Sequence, residues 1–127
     1  MGPATNSQHP PYDIRERVQR FVLHVIAVYP RNRLMARPSF RSWSQLFDSA
    51  SSTGAHLEEA EGAATQRHRM ALYRGALREM REARYWLGLI VAGKLEGWEI
   101  VNALSREAPQ LVAILSALVR KGEERVP

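Results

Sequence analysis

The stretch from Arg67 to Val91 constrains the fold of this chain more than any other, because its residues separate into two faces of one α-helix. At about 100° per residue, one face is apolar and the opposite face is basic. The apolar face consists of Leu72, Ala76, Met80, Ala83, Leu87 and Ile90, and the basic face of Arg67, Arg74, Arg78 and Arg81. An apolar face needs neighbouring elements to bury it, so this stretch predicts one helix of a bundle.

Two segments before this stretch also have apolar residues at helical spacing. We expect a first helix over about 14–29, with Asp13 as its N-cap and Pro30 directly after its end. A second helix is predicted over about 40–61, and either Ser39 or Ser42 can cap it. The link between these helices is short and basic.

The third helix is predicted over about 66–92, with Thr65 as its N-cap and Gly93 at the C′ position. A fourth helical region follows from Trp98, and Pro109 lies inside it. Because proline lacks a backbone donor and clashes with the preceding turn, it predicts a kink or a break near residues 105–108.

Four amphipathic helices with short links predict an all-α fold, an antiparallel up-down-up-down four-helix bundle whose fourth helix is kinked near Pro109. At 127 residues the chain has the length of one domain with one core. We place the bundle domain at 13–121, between a flexible N-terminal tail at 1–12 and a C-terminal tail at 122–127.

Composition narrows the classes of function. The chain has no cysteine, which excludes disulfides and thiolate metal sites, and its formal net charge is +5. This positive balance comes almost wholly from arginine and permits a nucleic acid or another anionic partner without establishing either. The longest apolar runs are far shorter than the ~20 residues that cross a bilayer, and the N-terminus has no signal-peptide pattern. We therefore expect a cytoplasmic protein that does not contact a membrane.

The middle of the second predicted helix, from Ser49 to Ala55, consists of residues with unusually small side chains. Serine, threonine and glycine are poor helix formers, so close approach of another backbone is the expected reason for them. That backbone belongs either to the same bundle or to a neighbouring subunit. Glu58, Glu59 and Glu61 crowd the end of this helix, where the helix dipole disfavours anions. We expect Arg84, together with Arg81, to pair with this acidic end, and Glu59 is its predicted partner.

The arginines suggest two basic surfaces. The first is the stripe on the third helix, which can follow a phosphate backbone or can be a solvated face with pairs such as Arg78–Glu82. The second lies around the link between the first two helices and consists of Arg31, Arg33, Arg37 and Arg41. Both are candidate nucleic-acid-binding surfaces.

No catalytic or metal-binding constellation stands out. The histidines at 9, 24, 56 and 68 share no ligand spacing, and the serines lack a nucleophile-elbow motif. We therefore expect no enzyme activity, no cofactor and no metal. Tyr85 and Trp86 can stack on a base, but Trp86 is better explained as a wedge between helices and Tyr85 as an interface residue.

Two segments resemble a known family. QLFDSASSTGAHLEEA, at Gln45–Ala60, and ALREMREARYWLGLI, at Ala76–Ile90, are similar to two helices of the four-helix bundle family of ribosomal-RNA intervening-sequence proteins. The matching residues are Gln45, Leu46, Ser49, Ser52, Gly54, Ala55, Glu59, Ala60, Ala76, Leu77, Glu79, Glu82, Arg84, Tyr85, Trp86 and Leu87. The resemblance implies a homo-oligomer, a five-fold ring of bundles, without catalytic activity. A distant relative is the accessory protein of diversity-generating retroelements, which works with a reverse transcriptase and nucleic acid.

These observations predict a non-enzymatic, oligomeric bundle protein that associates with RNA or DNA through its arginine surfaces. The alternative is a structural scaffold, or a module for a protein partner, that does not bind nucleic acid. We assign structural or interface roles to Trp43, Ser49, Gly54, Glu59, Arg84, Tyr85 and Trp86.

Overall fold

The computed structural model describes residues 12–32 and 34–125, and in this part of the chain it contains helices without strands. The helices are α1 (Tyr12–Val28), α2 (Arg37–Glu61), α3 (Gln66–Ala92) and α4 (Asn102–Glu123), with a short 3₁₀ helix at Trp98–Ile100. Both α2 and α4 pack against α1 and α3, and the α2–α3 contact is the most extensive. The predicted four-helix bundle is confirmed. None of the described helices is long and apolar enough to cross a membrane.

The core consists of the buried faces of all four helices. Its largest fully buried side chains are Trp43, Ile14, Leu46, Met70, Met80, Leu87, Ile90, Leu104, Leu111, Leu115, Val18 and Val25. The apolar face predicted for α3 is buried from Ala76 to Ile90, while Leu72 is half-buried. The pattern of the sequence therefore assigns the inner faces correctly.

Two helices begin earlier than predicted. Because α1 starts at Tyr12, Asp13 lies in its first turn and not before it. Because α2 starts at Arg37, Ser39 and Ser42 lie inside it and are buried, so the prediction that one of them caps α2 is wrong. The Oγ atom of Ser39 instead accepts the backbone N–H of Glu96 at 3.1 Å.

The two ends of α3 show one confirmed cap and one correction. The side chain of Thr65 accepts the N–H of His68 at 3.0 Å, as predicted for an N-cap. Gly93 follows the helix with φ −86°, and Lys94 takes the left-handed conformation with φ 50°. Helices commonly end with a left-handed residue, and here that residue is Lys94 and not Gly93.

The structure of α4 differs from the sequence prediction at its start and its middle. Trp98 lies in the separate 3₁₀ helix, and α4 itself begins at Asn102. Pro109 lies inside a helix that runs unbroken to Glu123, past the predicted domain end at 121. Of the two alternatives predicted near residues 105–108, the break is therefore excluded, and the kink stays a prediction.

Trp43 joins the link after α3 to the start of α2. Its indole Nε1 donates to the carbonyl oxygen of Glu96 at 2.7 Å, and its side chain is fully buried. Gly97 has φ +83°, and a Cβ atom there would lie 2.8 Å from Cζ2 of Trp43. Only glycine fits this backbone conformation and this contact without strain.

The α2–α3 seam, defined by Ser49, Thr53, His56, Gly75 and Glu82, belongs to the most extensive contact between two helices. A Cβ atom on Gly75 would lie 2.7 Å from Cδ2 of His56, whose Nδ1 lies 2.7 Å from the carbonyl oxygen of Ser52. The buried hydroxyl of Thr53 donates to the carbonyl oxygen of Ser49 at 2.9 Å, which satisfies it inside its own helix. Small side chains in α2 thus coincide with close packing within the bundle.

Candidate nucleic-acid interface

The α3 stripe, consisting of Arg67, Arg74, Arg78 and Arg81, lies on the outer face of the bundle, and all four residues are exposed. Nη1 of Arg74 lies 3.3 Å from Oε2 of Glu123 on α4. The other three arginines form no ion pair with any residue in the described ranges 12–32 and 34–125. The alternative pair Arg78–Glu82 is therefore not formed, and the carboxylate of Glu82 accepts the hydroxyl of Ser49 at 3.4 Å.

The end cluster, consisting of Arg31, Arg37 and Arg41, lies at the link between α1 and α2. Arg33, which was predicted to join it, lies outside the described residues. Nη2 of Arg31 donates to the carbonyl oxygen of Ile26 at 3.1 Å, so this side chain also holds the end of α1. The residues of the end cluster are exposed.

Arg37 and Arg41 flank Phe40, an aromatic side chain that was not among the predicted site residues. Phe40 is 52% exposed and lines a shallow surface pocket of ≈ 350 Å³ between the two arginines. The backbone supports an anion here as well, because the N-cap residue Ala36 has no side-chain oxygen for the first N–H groups of α2. Two cations beside an exposed ring form the combination that binds phosphate and stacks a base. The one available signal was the spacing of Arg37, Phe40 and Arg41, which places them on one side of a helix.

The acidic end of α2 has a different cation from the predicted one. Nη2 of Arg15 on α1 lies 3.0 Å from Oε1 of Glu58, and its Nη1 lies 3.6 Å from Oε1 of Glu61. Glu59 and Arg84 are both exposed.

The predicted pair of Arg84 with Glu59 is wrong because of the helix register. Contacts of Ser49 with Glu82 and of His56 with Gly75 fix how α2 lies along α3. This register places Arg84 beside residue 47, and with a rise of about 1.5 Å per residue Glu59 lies about 18 Å further along α2. Arg81 is also well beyond reach of this end. No sequence pattern within α2 or α3 carries this register.

The α1–α2 groove is a concave surface with a volume of ≈ 560 Å³. Glu16 and Glu58 line one end, and Val22 and Leu23 line the part nearer the end of α1. Gly54 forms part of its floor, and a Cβ atom there would make only an ordinary contact of 3.7 Å with Val18. The small residues on this flank of α2 thus leave space open.

On the opposite side of the molecule, the α3 stripe continues into exposed apolar residues. Tyr85 is 59% exposed and Leu89 is 38% exposed, while Trp86 is half-buried against the core. The rings of Tyr85 and Trp86 meet edge to face, with centroids 5.1 Å apart. Trp86 thus lies where a wedge was expected, and Tyr85 is available to a partner.

Two tyrosines of the described residues have raised pKa values. Burial raises the pKa of Tyr73 and of Tyr29, and the charge of Asp48 raises that of Tyr29 further. Within residues 12–32 and 34–125, no three His, Asp or Glu side chains come together as a metal site would require. The arrangement offers cations and aromatic rings at its surface, which suits binding of an anion.

The molecule is thus a four-helix bundle with two exposed arginine surfaces. No protein-family model matches the chain, and no curated protein matches it. Among solved structures, it is similar to a protein of unknown function from the S23 ribosomal protein family of Bacteroides thetaiotaomicron, with a TM-score of 0.68. The two are 19% identical, and the match covers 84% of this chain and 97% of the other. At this identity the likeness shows a shared fold.

Proposed function

We propose that this chain is a non-enzymatic, oligomeric bundle protein that associates with nucleic acid. The observation that carries the proposal is the exposed pocket in which Arg37 and Arg41 flank Phe40. Arginine binds phosphate through a planar fork, and an exposed aromatic ring stacks on any base, so the pocket suits a single-stranded segment of RNA or DNA. The α3 stripe is the second candidate surface for the same ligand.

The family part of the proposal comes from the resemblance of α2 and α3 to the ribosomal-RNA intervening-sequence proteins. The shared fold with a protein of the S23 ribosomal protein family supports it. Membership would imply a homo-oligomeric ring, for which five subunits are expected, and a distant relation to the retroelement accessory protein. A cytoplasmic location and the absence of catalysis are parts of the same proposal.

A titration of labelled single-stranded RNA and duplex DNA, followed by fluorescence anisotropy at low and at high salt, tests the proposal. We expect the parent to bind at low salt and to weaken as salt rises, because phosphate contacts release counterions. Arg37→Glu with Arg41→Glu should weaken binding by about tenfold or more, because two contacts become repulsive. The matched control is Arg106→Glu with Arg120→Glu, two exposed arginines of α4 whose reversal changes the net charge equally.

The outcomes separate the possible readings of the basic surface. Equal losses in the variant and its control would mean that only net charge matters, and the pocket would then have no role. If only the double variant Arg78→Glu, Arg81→Glu lost nucleic-acid binding, the α3 stripe would be the binding surface instead of the pocket. A parent that binds neither RNA nor DNA would overturn the proposal.

That last outcome would favour the alternative function, a scaffold for protein partners. Its supporting observation is the number of large apolar side chains at the surface of the described residues. They are Leu23, Ile26, Leu34, Phe40, Tyr85, Leu89, Val91 and Ile100. Leu23 with Ile26 on α1, and Tyr85 with Leu89 on α3, lie about one helical turn apart, and adjoining exposed apolar residues often mark contacts with another protein.

A further inference from the structure

The α1–α2 groove and the outer face of α3 are complementary in charge and in polarity. One end of the groove carries Arg15, Glu16 and Glu58, and because Arg15 pairs with Glu58 its net charge is that of one carboxylate. The rest of the groove is apolar at Leu23, which is 56% exposed, and at the neighbouring Ile26, which is 40% exposed. The outer face of α3 is basic along its stripe and apolar at Tyr85 and Leu89. Each surface thus has one charged part and one apolar part.

The two surfaces also match in height along the bundle. On α2, Gly54 lies beside Val18 and Glu58 beside Arg15, which fixes the register of α1. The α2–α3 seam fixes the register of α3 in the same way.

These registers place matching residues level with one another. Glu16 and Arg74 both lie level with residue 57 of α2, so the acidic end of the groove is at the height of the stripe. Ile26 and Tyr85 both lie near the level of residue 46, so the two apolar parts also coincide. A shift of one surface along the other would lose both matches.

One copy of the chain cannot bring these surfaces together. α1 and α3 occupy diagonal corners of the bundle, because each packs mainly against α2 and α4. The groove opens between α1 and α2, while the stripe faces away from the core. A second copy with its axis parallel to the first presents its α3 face at the matching height.

We propose that the outer face of α3 docks into the α1–α2 groove of a second copy, with the two bundles side by side and parallel. Arg74 then approaches Glu16, beside the Arg15–Glu58 ion pair, and Tyr85 packs against Ile26. The guanidinium of Arg74 has five N–H donors, so its contact with Glu123 leaves donors for a second carboxylate.

This inference rests on the oligomeric part of the proposed function and assigns its interface. The two contacting surfaces are unlike, so the contact is heterologous and repeats from copy to copy until a ring closes. The α3 stripe then serves assembly, and the pocket of Arg37, Phe40 and Arg41 remains for nucleic acid.

Cross-linking between introduced cysteines tests the interface without background, because the chain has no cysteine. Single variants are mixed in pairs and treated with a mild oxidant or a short bismaleimide. We expect a link between Glu16→Cys and Arg74→Cys, and between Ile26→Cys and Tyr85→Cys. All four positions are exposed, so the fold should tolerate the changes.

The control pairs exchange the partners. Links of Glu16→Cys with Tyr85→Cys, and of Ile26→Cys with Arg74→Cys, would indicate antiparallel bundles and overturn the proposed register. A link between two copies of Arg74→Cys, without the expected pairs, would indicate a two-fold interface instead. An oligomer with none of these links would overturn the inference and leave the proposed function standing, whereas a monomeric parent would overturn both.

A charge exchange gives an independent measurement. By light scattering, Arg74→Glu should weaken assembly by about tenfold or more, because like charges then face each other. Adding Glu16→Arg should restore the mass of the parent. The double variant Arg78→Glu, Arg81→Glu gives a further control. If it lost nucleic-acid binding but kept the mass of the parent oligomer, the α3 stripe would bind nucleic acid and not a second copy.

Discussion

The two flanks of α2 differ in how closely they are packed. On the flank toward α3, the ring of His56 lies so close to Gly75 that a Cβ atom there would overlap it. On the flank toward α1, Gly54 borders a groove of ≈ 560 Å³. Both flanks contain small residues, so small residues by themselves do not distinguish a closed seam from an open groove. The closed flank holds the fold together, and the open flank is available for binding.

Alanine substitutions at the two glycines give the largest expected contrast. Gly75→Ala should lower the free energy of unfolding by about 1–3 kcal/mol, because its Cβ overlaps the His56 ring. Gly54→Ala should raise it by about 0.5–1 kcal/mol, because its Cβ meets only Val18 at an ordinary distance and alanine favours a helix. Chemical denaturation measures both.

Restoration of stability by a second substitution would identify the cause. His56→Ala removes the ring that the new methyl group meets, so it should recover much of the loss in Gly75→Ala. The double-mutant cycle should then show a coupling between the two positions. Equal effects at the two glycines would contradict the distinction between a closed and an open flank.

The sequence predicts the helices and their inner faces well, because these depend on local spacing. The exposure of Arg67, Arg78 and Arg81 follows from the same periodicity. The partners across helices were not predictable, since they depend on how far one helix is shifted along the next. Glu58 therefore pairs with Arg15 and not with Arg84.

Gly75 shows the same limit at the seam. In the sequence it is an isolated glycine within a helical pattern, and it gives no sign that a histidine packs over it. The caps show a related limit, since Ser39 satisfies a backbone N–H of a distant link and not of its own helix. Predicting the pocket at Phe40 would have required the correct start of α2 at Arg37, which lies before the predicted start.

The ion pairs of α1 extend the comparison of flanks to a second helix. Arg17 contacts Glu107 of α4 through two hydrogen bonds of 3.0 and 2.8 Å, and the Glu107 side chain is 31% exposed, whereas the Glu58 side chain beside the groove is 73% exposed. Glu107→Gln should cost about 1 kcal/mol, and Glu58→Gln less than about 0.5 kcal/mol. Thermal unfolding at low and at high salt measures this difference, and salt should reduce the Glu58 effect more. A larger loss at Glu58 would mean that the groove flank holds α1 more firmly than we infer.

The smallest expected effect is on how the stability of the protein changes at high pH, and it depends on Tyr73. Burial, the largest cause, raises the pKa of Tyr73 above its ordinary value of 10.0, and Glu61 also raises it, while Arg69 and Arg15 lower it. The folded state therefore holds the phenol proton more tightly than the unfolded state does. This contribution to stability is fully present below pH 10 and is lost as the pH rises through the higher pKa of the folded protein. Tyr73→Phe has no proton to lose, so its stability should fall less steeply above pH 10 when unfolding is followed by circular dichroism. If the stability of the variant fell with pH as steeply as that of the parent, Tyr73 would not have the raised pKa that we attribute to its burial.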